Sequence, residues 1–83
     1  MKVKCKVEEK SSFKRSLKRL NQKTKKRVKE AIEILKEKPF SGKTLKGKYK
    51  RLWKYRIGRY RIIYLPKSCY IQLILISLRD SVY

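Results

Sequence analysis

The stretch from Leu52 to Tyr64 reads Leu-Trp-Lys-Tyr-Arg-Ile-Gly-Arg-Tyr-Arg-Ile-Ile-Tyr, and bulky apolar side chains alternate in it with cationic ones. Alternation with a period of two is typical of a β-strand with one buried face. A two-residue loop that begins with glycine uses the positive φ that glycine adopts freely, so we predict a β-hairpin with its turn at Gly58-Arg59. Its register pairs Ile57 with Tyr60, Arg56 with Arg61, and Lys54 with Ile63.

This hairpin would have two unlike faces. The face that we expect to be buried carries Trp53, Tyr55, Ile57, Tyr60, Ile62 and Tyr64. The other face carries Lys54, Arg56 and Arg61. Like charges directly opposite each other destabilise a strand pair, so the Arg56–Arg61 pair predicts an anion bound between the two side chains.

The chain as a whole is strongly basic. Its 83 residues include 26 lysines and arginines, 6 acidic residues and no histidine, which gives a formal net charge of +20. A chain of this length builds one small core, so we expect a single domain over residues 1–83. Self-repulsion on this scale is relieved by a polyanionic or acidic partner. We see no bilayer-spanning run and no secretory signal, and we therefore expect a cytoplasmic protein without a membrane partner.

The two cysteines do not resemble a disulfide framework or a metal site. Cys5 and Cys69 each lie in apolar alternation on a predicted strand, which favours buried, reduced thiols. Two cysteines without a histidine make no convincing zinc site, and we expect no metal and no cofactor.

Two amphipathic helices are predicted before the hairpin. Residues 2–8 alternate as a short strand, and Ser11 or Ser12 offers an N-cap for a first helix, which ends at Asn21. A second helix is predicted from about Gln22 to Lys38. Residues 39–50 contain two glycines and one proline and are predicted to form a long loop.

After the hairpin, residues 66–68 (Pro-Lys-Ser) predict a turn into residues 69–78, an almost continuous apolar run. Such a run is typical of a strand that is buried on both faces and central in its sheet. The predicted fold class is α+β in the order β-α-α-β-β-β, with one mostly antiparallel sheet and a helical hairpin packed on one face.

The side chains available limit the chemistry. The sequence has no histidine, no carboxylate cluster, and no serine or cysteine beside a base, which disfavours metal-assisted hydrolysis and covalent acyl transfer. RNA brings its own nucleophile, because its 2′-hydroxyl can attack the adjacent phosphate to give a 2′,3′-cyclic phosphate and a free 5′-hydroxyl. An enzyme must then deprotonate O2′, stabilise the added charge on phosphorus and protonate O5′. Clustered lysine and arginine side chains can directly stabilise the added charge.

The segment Y-K-R-L-W-K-Y-R-I-G-R-Y-R-I-I-Y, followed by an apolar strand and a terminal R-D-S-V-Y, resembles the RelE/ParE superfamily of toxins from toxin–antitoxin pairs. The resemblance covers nearly the whole chain. For RelE-type toxins it implies a ribosome-dependent, metal-independent endoribonuclease, an mRNA interferase that cuts mRNA in the ribosomal A site. It also implies that a cognate RelB-like antitoxin holds the enzyme inactive.

The resemblance assigns roles to five residues. It implies base or phosphate contact for Lys54 and Arg56, transition-state stabilisation for Arg61, protonation of O5′ by Arg79, and base stacking or proton transfer for Tyr83. The surrounding cations that we expect to contact RNA are Lys46, Lys48, Lys50, Arg51 and Arg59.

One departure from the family pattern concerns the acid–base residues. Many relatives have a histidine immediately before the arginine that corresponds to Arg79, whereas this chain has Leu78. Two other functions stay open from the sequence: a ParE-like inhibitor of DNA gyrase, which shares the fold, and a non-catalytic basic RNA-binding protein.

The charge and the small core also favour an antitoxin of a particular kind. An acidic segment that folds on binding would either lay a helix over the helical hairpin or add a strand to an open sheet edge. The sequence leaves open which of these occurs and whether two toxin–antitoxin pairs join as a heterotetramer.

Overall fold

The computed structural model describes residues 5–44 and 51–78. Its elements are β1 (Lys6–Glu9), α1 (Ser11–Lys18), α2 (Gln22–Glu37), β2 (Lys43–Thr44), β3 (Trp53–Ile57), β4 (Tyr60–Lys67) and β5 (Tyr70–Leu78). The described strands form one sheet in the order β1-β5-β4-β3-β2, and among their pairings only β1–β5 is parallel. The predicted α+β class and mostly antiparallel sheet are confirmed, with β2 as an additional strand.

The hairpin of β3 and β4 has the predicted register. Ile57 lies opposite Tyr60, Arg56 opposite Arg61, and Lys54 opposite Ile63. Gly58 has φ 57°, the positive value that a glycine-first turn requires at this position. No other described residue has a positive φ. The turn therefore determines which side chains of both strands face the core.

The helices cover one face of the sheet and form the core with it. Phe13 and Leu35 from the helices meet Ile62 and Tyr64 from β4, and all four are fully buried. The predicted apolar face of the hairpin is confirmed as the core face: Ile57, Ile62 and Tyr64 are buried, and Trp53, Tyr55 and Tyr60 pack against the core as half-buried residues. The cationic residues of the hairpin consequently lie on the opposite face.

Both helices lie where the sequence predicts them, although the cap of α1 differs. The Asn21 side chain caps α2 by accepting a hydrogen bond from the Thr24 N–H at 2.8 Å. The prediction of a serine cap for α1 is wrong, because its N-cap is Lys10 and makes no side-chain cap bond. Ser12 instead donates its hydroxyl hydrogen bond to the carbonyl of Ile74, which ties α1 to β5. Neither described helix has the length and hydropathy needed to cross a bilayer.

Three features of the sheet differ from the prediction. The loop predicted over residues 39–50 contains β2, whose two residues pair with β3. Pro66 lies within β4 and the turn comes at residues 68–69. A proline fits there because the described pairing of β3 with β4 ends at Tyr64, so the position has no β3 neighbour that needs a backbone donor. β5 is an interior strand between β1 and β4, but the central strand of the five is β4.

The prediction of two reduced thiols is wrong, since Cys5 and Cys69 form a disulfide. The parallel register places Lys6 opposite Tyr70, and the cysteines immediately before these residues have Cα atoms 4.6 Å apart. Cys5 is buried and Cys69 is exposed. The sheet thus brings together two cysteines that are 64 residues apart in the sequence.

Polar side chains join β1 to β5 beyond the disulfide. The hydroxyl of Tyr70 donates a hydrogen bond to the Glu8 carboxylate, which also accepts from Gln72 Nε2 at 3.2 Å and lies 3.1 Å from Lys10 Nζ. The hydrogen bond from Tyr70, followed by the contributions of Lys10 and Gln72, lowers the pKa of Glu8 to about 2. Glu8 is therefore a charged structural link at the β1 edge.

Candidate functional site

Four cations lie on the sheet face opposite the helices. Lys43 of β2 pairs with Lys54 of β3, and Arg56 of β3 pairs with Arg61 of β4. We call these four residues the cationic platform. Like charges directly opposite each other on paired strands repel, and a bound anion would offset this repulsion.

The platform borders an open cleft of about 330 Å³. Its described lining consists of Ser41, Gly42, Lys43, Lys54, Tyr55, Arg56 and Arg61. Four of these seven residues are cations and none is acidic. The charge balance of the lining suits a phosphate group, with which arginine forms paired hydrogen bonds.

The platform cations differ in their exposure. Lys43 and Arg56 are exposed, whereas Lys54 and Arg61 are half-buried. Ile63 lies opposite Lys54 and is fully buried, so this face has an apolar floor. A partly desolvated cation interacts more strongly with a bound anion than a fully solvated one does. A bound anion would therefore interact more strongly with Lys54 and Arg61 than with the two exposed cations.

Ser77 adds a neutral polar group beside Arg61. It lies opposite Arg61 in the β4–β5 register. Its hydroxyl oxygen is buried and has no hydrogen-bond partner among the described residues. A buried hydroxyl without a partner is costly, and such groups often mark functional positions. In the sequence, Ser77 stands out only as a break in an apolar run.

Gly42 determines where β2 and Lys43 lie. The Gly42 N–H donates a hydrogen bond to the hydroxyl oxygen of Tyr64 at 3.1 Å. Burial raises the pKa of Tyr64, so this phenol stays neutral at physiological pH. A Cβ atom at Gly42 would collide with the carbonyl oxygen of Lys54 and with the Tyr64 hydroxyl. Only glycine allows the chain to approach β3 this closely.

The structure brings together three of the predicted catalytic residues: Lys54, Arg56 and Arg61. Arg51 and Arg59 lie exposed in the turns at either end of β3, outside the described lining of the cleft. The other predicted residues fall outside the described part of the chain: Lys46, Lys48, Lys50, Arg79 and Tyr83.

Lys43 is a platform residue that the sequence analysis missed. It lies in the segment that was predicted to be loop, and a strand of two residues is too short to show alternation. Its pairing with Lys54 depends on the close approach at Gly42, for which the sequence offered only the glycine itself as a signal.

The fold and the family comparison together define the class of protein. The architecture is that of RelE-like toxins, with two helices on one face of a mostly antiparallel sheet. The family described as the ParE toxin of the type II toxin–antitoxin system parDE matches residues 7–80. The chain therefore belongs to this toxin family, within the RelE/ParE superfamily. No curated protein matches the sequence.

Several solved toxin structures share this fold at low sequence identity. The toxin–antitoxin complex RelBE2 from Mycobacterium tuberculosis matches with a TM-score of 0.84 and 23% identity, over 93% of this chain and 100% of that one. The archaeal RelE–RelB complex from Pyrococcus horikoshii matches with a TM-score of 0.76 and 24% identity, over 96% and 100%. The isolated RelE toxin of E. coli matches with a TM-score of 0.72 and 13% identity, over 94% and 87%.

Proposed function

We propose that this protein is a RelBE-type toxin that acts as a ribosome-dependent mRNA endoribonuclease. The observation that carries the proposal is the platform, where two like-charged cross-strand pairs line one cleft without an acidic residue in its described lining. A phosphodiester bound between the pairs would offset the repulsion within each pair and accept charge-assisted hydrogen bonds from the cations.

The proposed reaction needs no external nucleophile. The 2′-oxygen attacks the adjacent phosphorus and loses its proton to a base, for which Lys54 is the candidate. Arg61, with Arg56 and Lys43 around it, stabilises the charge that develops on the phosphate oxygens. The P–O5′ bond breaks, and O5′ takes a proton from Arg79, while Tyr83 stacks on a base or assists proton transfer. The products are a 2′,3′-cyclic phosphate and a 5′-hydroxyl.

Cleavage of mRNA on translating ribosomes tests this proposal. Incubation with the protein, followed by sequencing of the new 3′ ends, should show cuts within A-site codons. Loss of one preorganised charge donor typically slows a reaction about 10²–10³-fold. We expect Arg61→Ala to do so, and the triple change Lys54→Ala, Arg61→Ala, Arg79→Ala to abolish cleavage.

The matched control for these variants is Arg15→Ala, which removes an exposed arginine from α1. It should cleave like the unmodified protein. Uncut mRNA with the unmodified protein, or cutting that survives the triple change in a folded variant, would refute the nuclease assignment.

Inhibition of DNA gyrase is the second candidate function, and the match to the ParE family favours it. Such an inhibitor would not need a phosphate-cleaving platform. A supercoiling assay with purified gyrase separates the two candidates. If the protein inhibits supercoiling by gyrase and the Arg61→Ala variant inhibits it equally, this result would support gyrase as the target. A third reading, a non-catalytic RNA-binding protein, predicts steeply salt-dependent RNA binding and no cleavage product.

The proposed partner that controls the toxin is an acidic, RelB-like antitoxin that folds on binding in the cytoplasm. Three of the similar structures are RelB–RelE or RelBE complexes. In this chain, a net charge of +20 and the exposed apolar side chains of Ile34 and Phe40 suit an acidic amphipathic segment. Co-expression with the product of an adjacent small acidic reading frame should yield a complex that is inactive on ribosomes, and sizing of that complex would show whether it is a heterotetramer.

A further inference from the structure

The cleft over the platform continues around the edge of β3. A groove of about 210 Å³ between α2 and β3 shares Tyr55 and Arg56 with the platform cleft. A pocket of about 260 Å³ at the hairpin turn shares Arg27 and Ile57 with that groove. Each cavity shares two lining residues with the next, so the three follow one another along β3, and we call their combined lining the β3-edge track.

The far end of the track has its own pair of arginines. Arg27 from α2 and Arg59 from the hairpin turn both line the turn pocket, together with the polar side chains of Asn21, Thr24 and Tyr60. The Arg27 guanidinium reaches the turn itself, since its Nη1 atom lies 3.4 Å from the position that a Cβ at Gly58 would occupy. Two separate elements therefore converge to form a second cationic position.

The middle of the track is less polar. Tyr55 is half-buried in the groove wall, and Ile34 beside it is 43% exposed. Glu30 is the single acidic residue among the described residues that line the three cavities. Cationic positions separated by an aromatic side chain are typical of single-stranded nucleic-acid sites, where phosphates meet the cations and a base stacks on the ring.

We infer that the β3-edge track binds a flanking segment of single-stranded RNA, with Arg27 and Arg59 contacting backbone phosphates and Tyr55 contacting a base. This inference deepens the proposed function and rests on it, because the platform would hold the scissile phosphate of the same strand. An acidic peptide is the alternative occupant, since Ile34 in the groove also belongs to the exposed apolar surface proposed for the antitoxin.

Binding of RNA that cannot be cleaved tests the track separately from catalysis. Fluorescence anisotropy would compare 2′-O-methyl oligonucleotides of three and nine nucleotides over a range of salt concentrations. For single strands, each phosphate contact contributes about 0.7 to the slope of log K against log salt. Arg27→Gln with Arg59→Gln should therefore lower the magnitude of the slope for the nonamer by about 1.4 and leave the trimer unchanged.

The matched control is Arg15→Gln with Arg19→Gln, which removes two exposed arginines from α1 and the residue after it. It should change the nonamer slope far less. Circular dichroism would verify that both double variants fold, which we expect because all four side chains are exposed.

Three results would overturn the inference. The first is an equal loss of salt slope in the two double variants, and the second is the same loss of slope for the trimer and the nonamer. The third is binding of a polyglutamate peptide that depends on Arg27 and Arg59 when binding of RNA does not. The last result would identify the track as a peptide site. Failure here is distinguishable from failure of the proposed function, because ribosomal cleavage and binding of uncleavable RNA are measured independently.

Discussion

At the scale of single residues, Gly42 links the core to the platform. Its N–H is bonded to the buried Tyr64, and the next residue, Lys43, is a platform cation. We expect Gly42→Ala to lower the free energy of unfolding by about 1–3 kcal/mol, because the added methyl group meets a β3 carbonyl that cannot move without distorting the sheet. Urea denaturation would measure this effect.

Ser41→Ala is the control for Gly42→Ala, since it changes the neighbouring exposed side chain. It should shift the urea midpoint little. An unchanged midpoint for Gly42→Ala would show that β2 does not approach β3 as closely as described.

A second prediction at this scale concerns Glu8 and pH. The folded-state pKa of Glu8 is about 2, below the ordinary value of 4.5, because Tyr70, Lys10 and Gln72 bond to its charged form. A depressed carboxyl pKa contributes stability that is present above the unfolded-state pKa and disappears as pH falls towards the folded-state value. The stability difference between the unmodified protein and Glu8→Gln should therefore be present at pH 7 and shrink between about pH 5 and pH 2.

Urea midpoints at pH 7, 4 and 2.5 would measure this difference for Glu8→Gln. Glu9→Gln is the control, because no described ion pair or hydrogen bond of the Glu9 side chain joins it to β5. A difference that stayed constant down to pH 2.5 would contradict the role given to the Tyr70–Glu8 hydrogen bond.

At the scale of secondary-structure elements, the hairpin was predictable and its neighbours were less so. Alternation around Gly58 determines the β3–β4 register, because a slip of either strand by one residue would turn that strand's arginine, Arg56 or Arg61, into the core. β2 was not predictable, since its position depends on a close approach of backbone rather than on a local pattern. The disulfide was not predictable either, because it follows from the parallel β1–β5 register between distant segments.

The disulfide leads to a prediction about stability. It closes a loop between positions 64 residues apart, and in the chain-entropy treatment a loop of this length stabilises the fold by about 4 kcal/mol. Addition of a thiol reductant should lower the urea midpoint of the unmodified protein. The variant Cys5→Ser with Cys69→Ser should unfold at a similarly low midpoint and be insensitive to reductant. Two free thiols in the untreated, folded protein would contradict the described bond.

At the scale of the whole molecule, charge and fold separate the functions of the two sheet faces. One face is covered by helices and builds the core, while the other carries the platform. The sequence predicted Lys54, Arg56 and Arg61 together because period-two alternation alone assigns them to one face. It could not predict Lys43 or Ser77, whose positions opposite Lys54 and Arg61 depend on neighbouring strands.

The net charge of +20 also indicates how the molecule meets its target. A polyanion attracts such a protein over distances of about a Debye length whatever its sequence, so affinity alone does not distinguish a nuclease from a basic binding protein. We propose that selectivity for one reaction comes from the half-buried cations of the platform, Lys54 and Arg61. The decisive observation is therefore chemical rather than a binding constant.

The most direct measurement of the central claim uses ribosomes programmed with two synthetic mRNAs that differ in one atom. One mRNA is all ribose, and the other carries a 2′-deoxyribose at the nucleotide 5′ to the cleaved phosphate. We predict that the all-ribose mRNA is cut there to leave a 2′,3′-cyclic phosphate, and that the deoxy substitution abolishes this cut. Cleavage that persists at the deoxy position, or a downstream product that carries a 5′-phosphate instead of a 5′-hydroxyl, would contradict this mechanism.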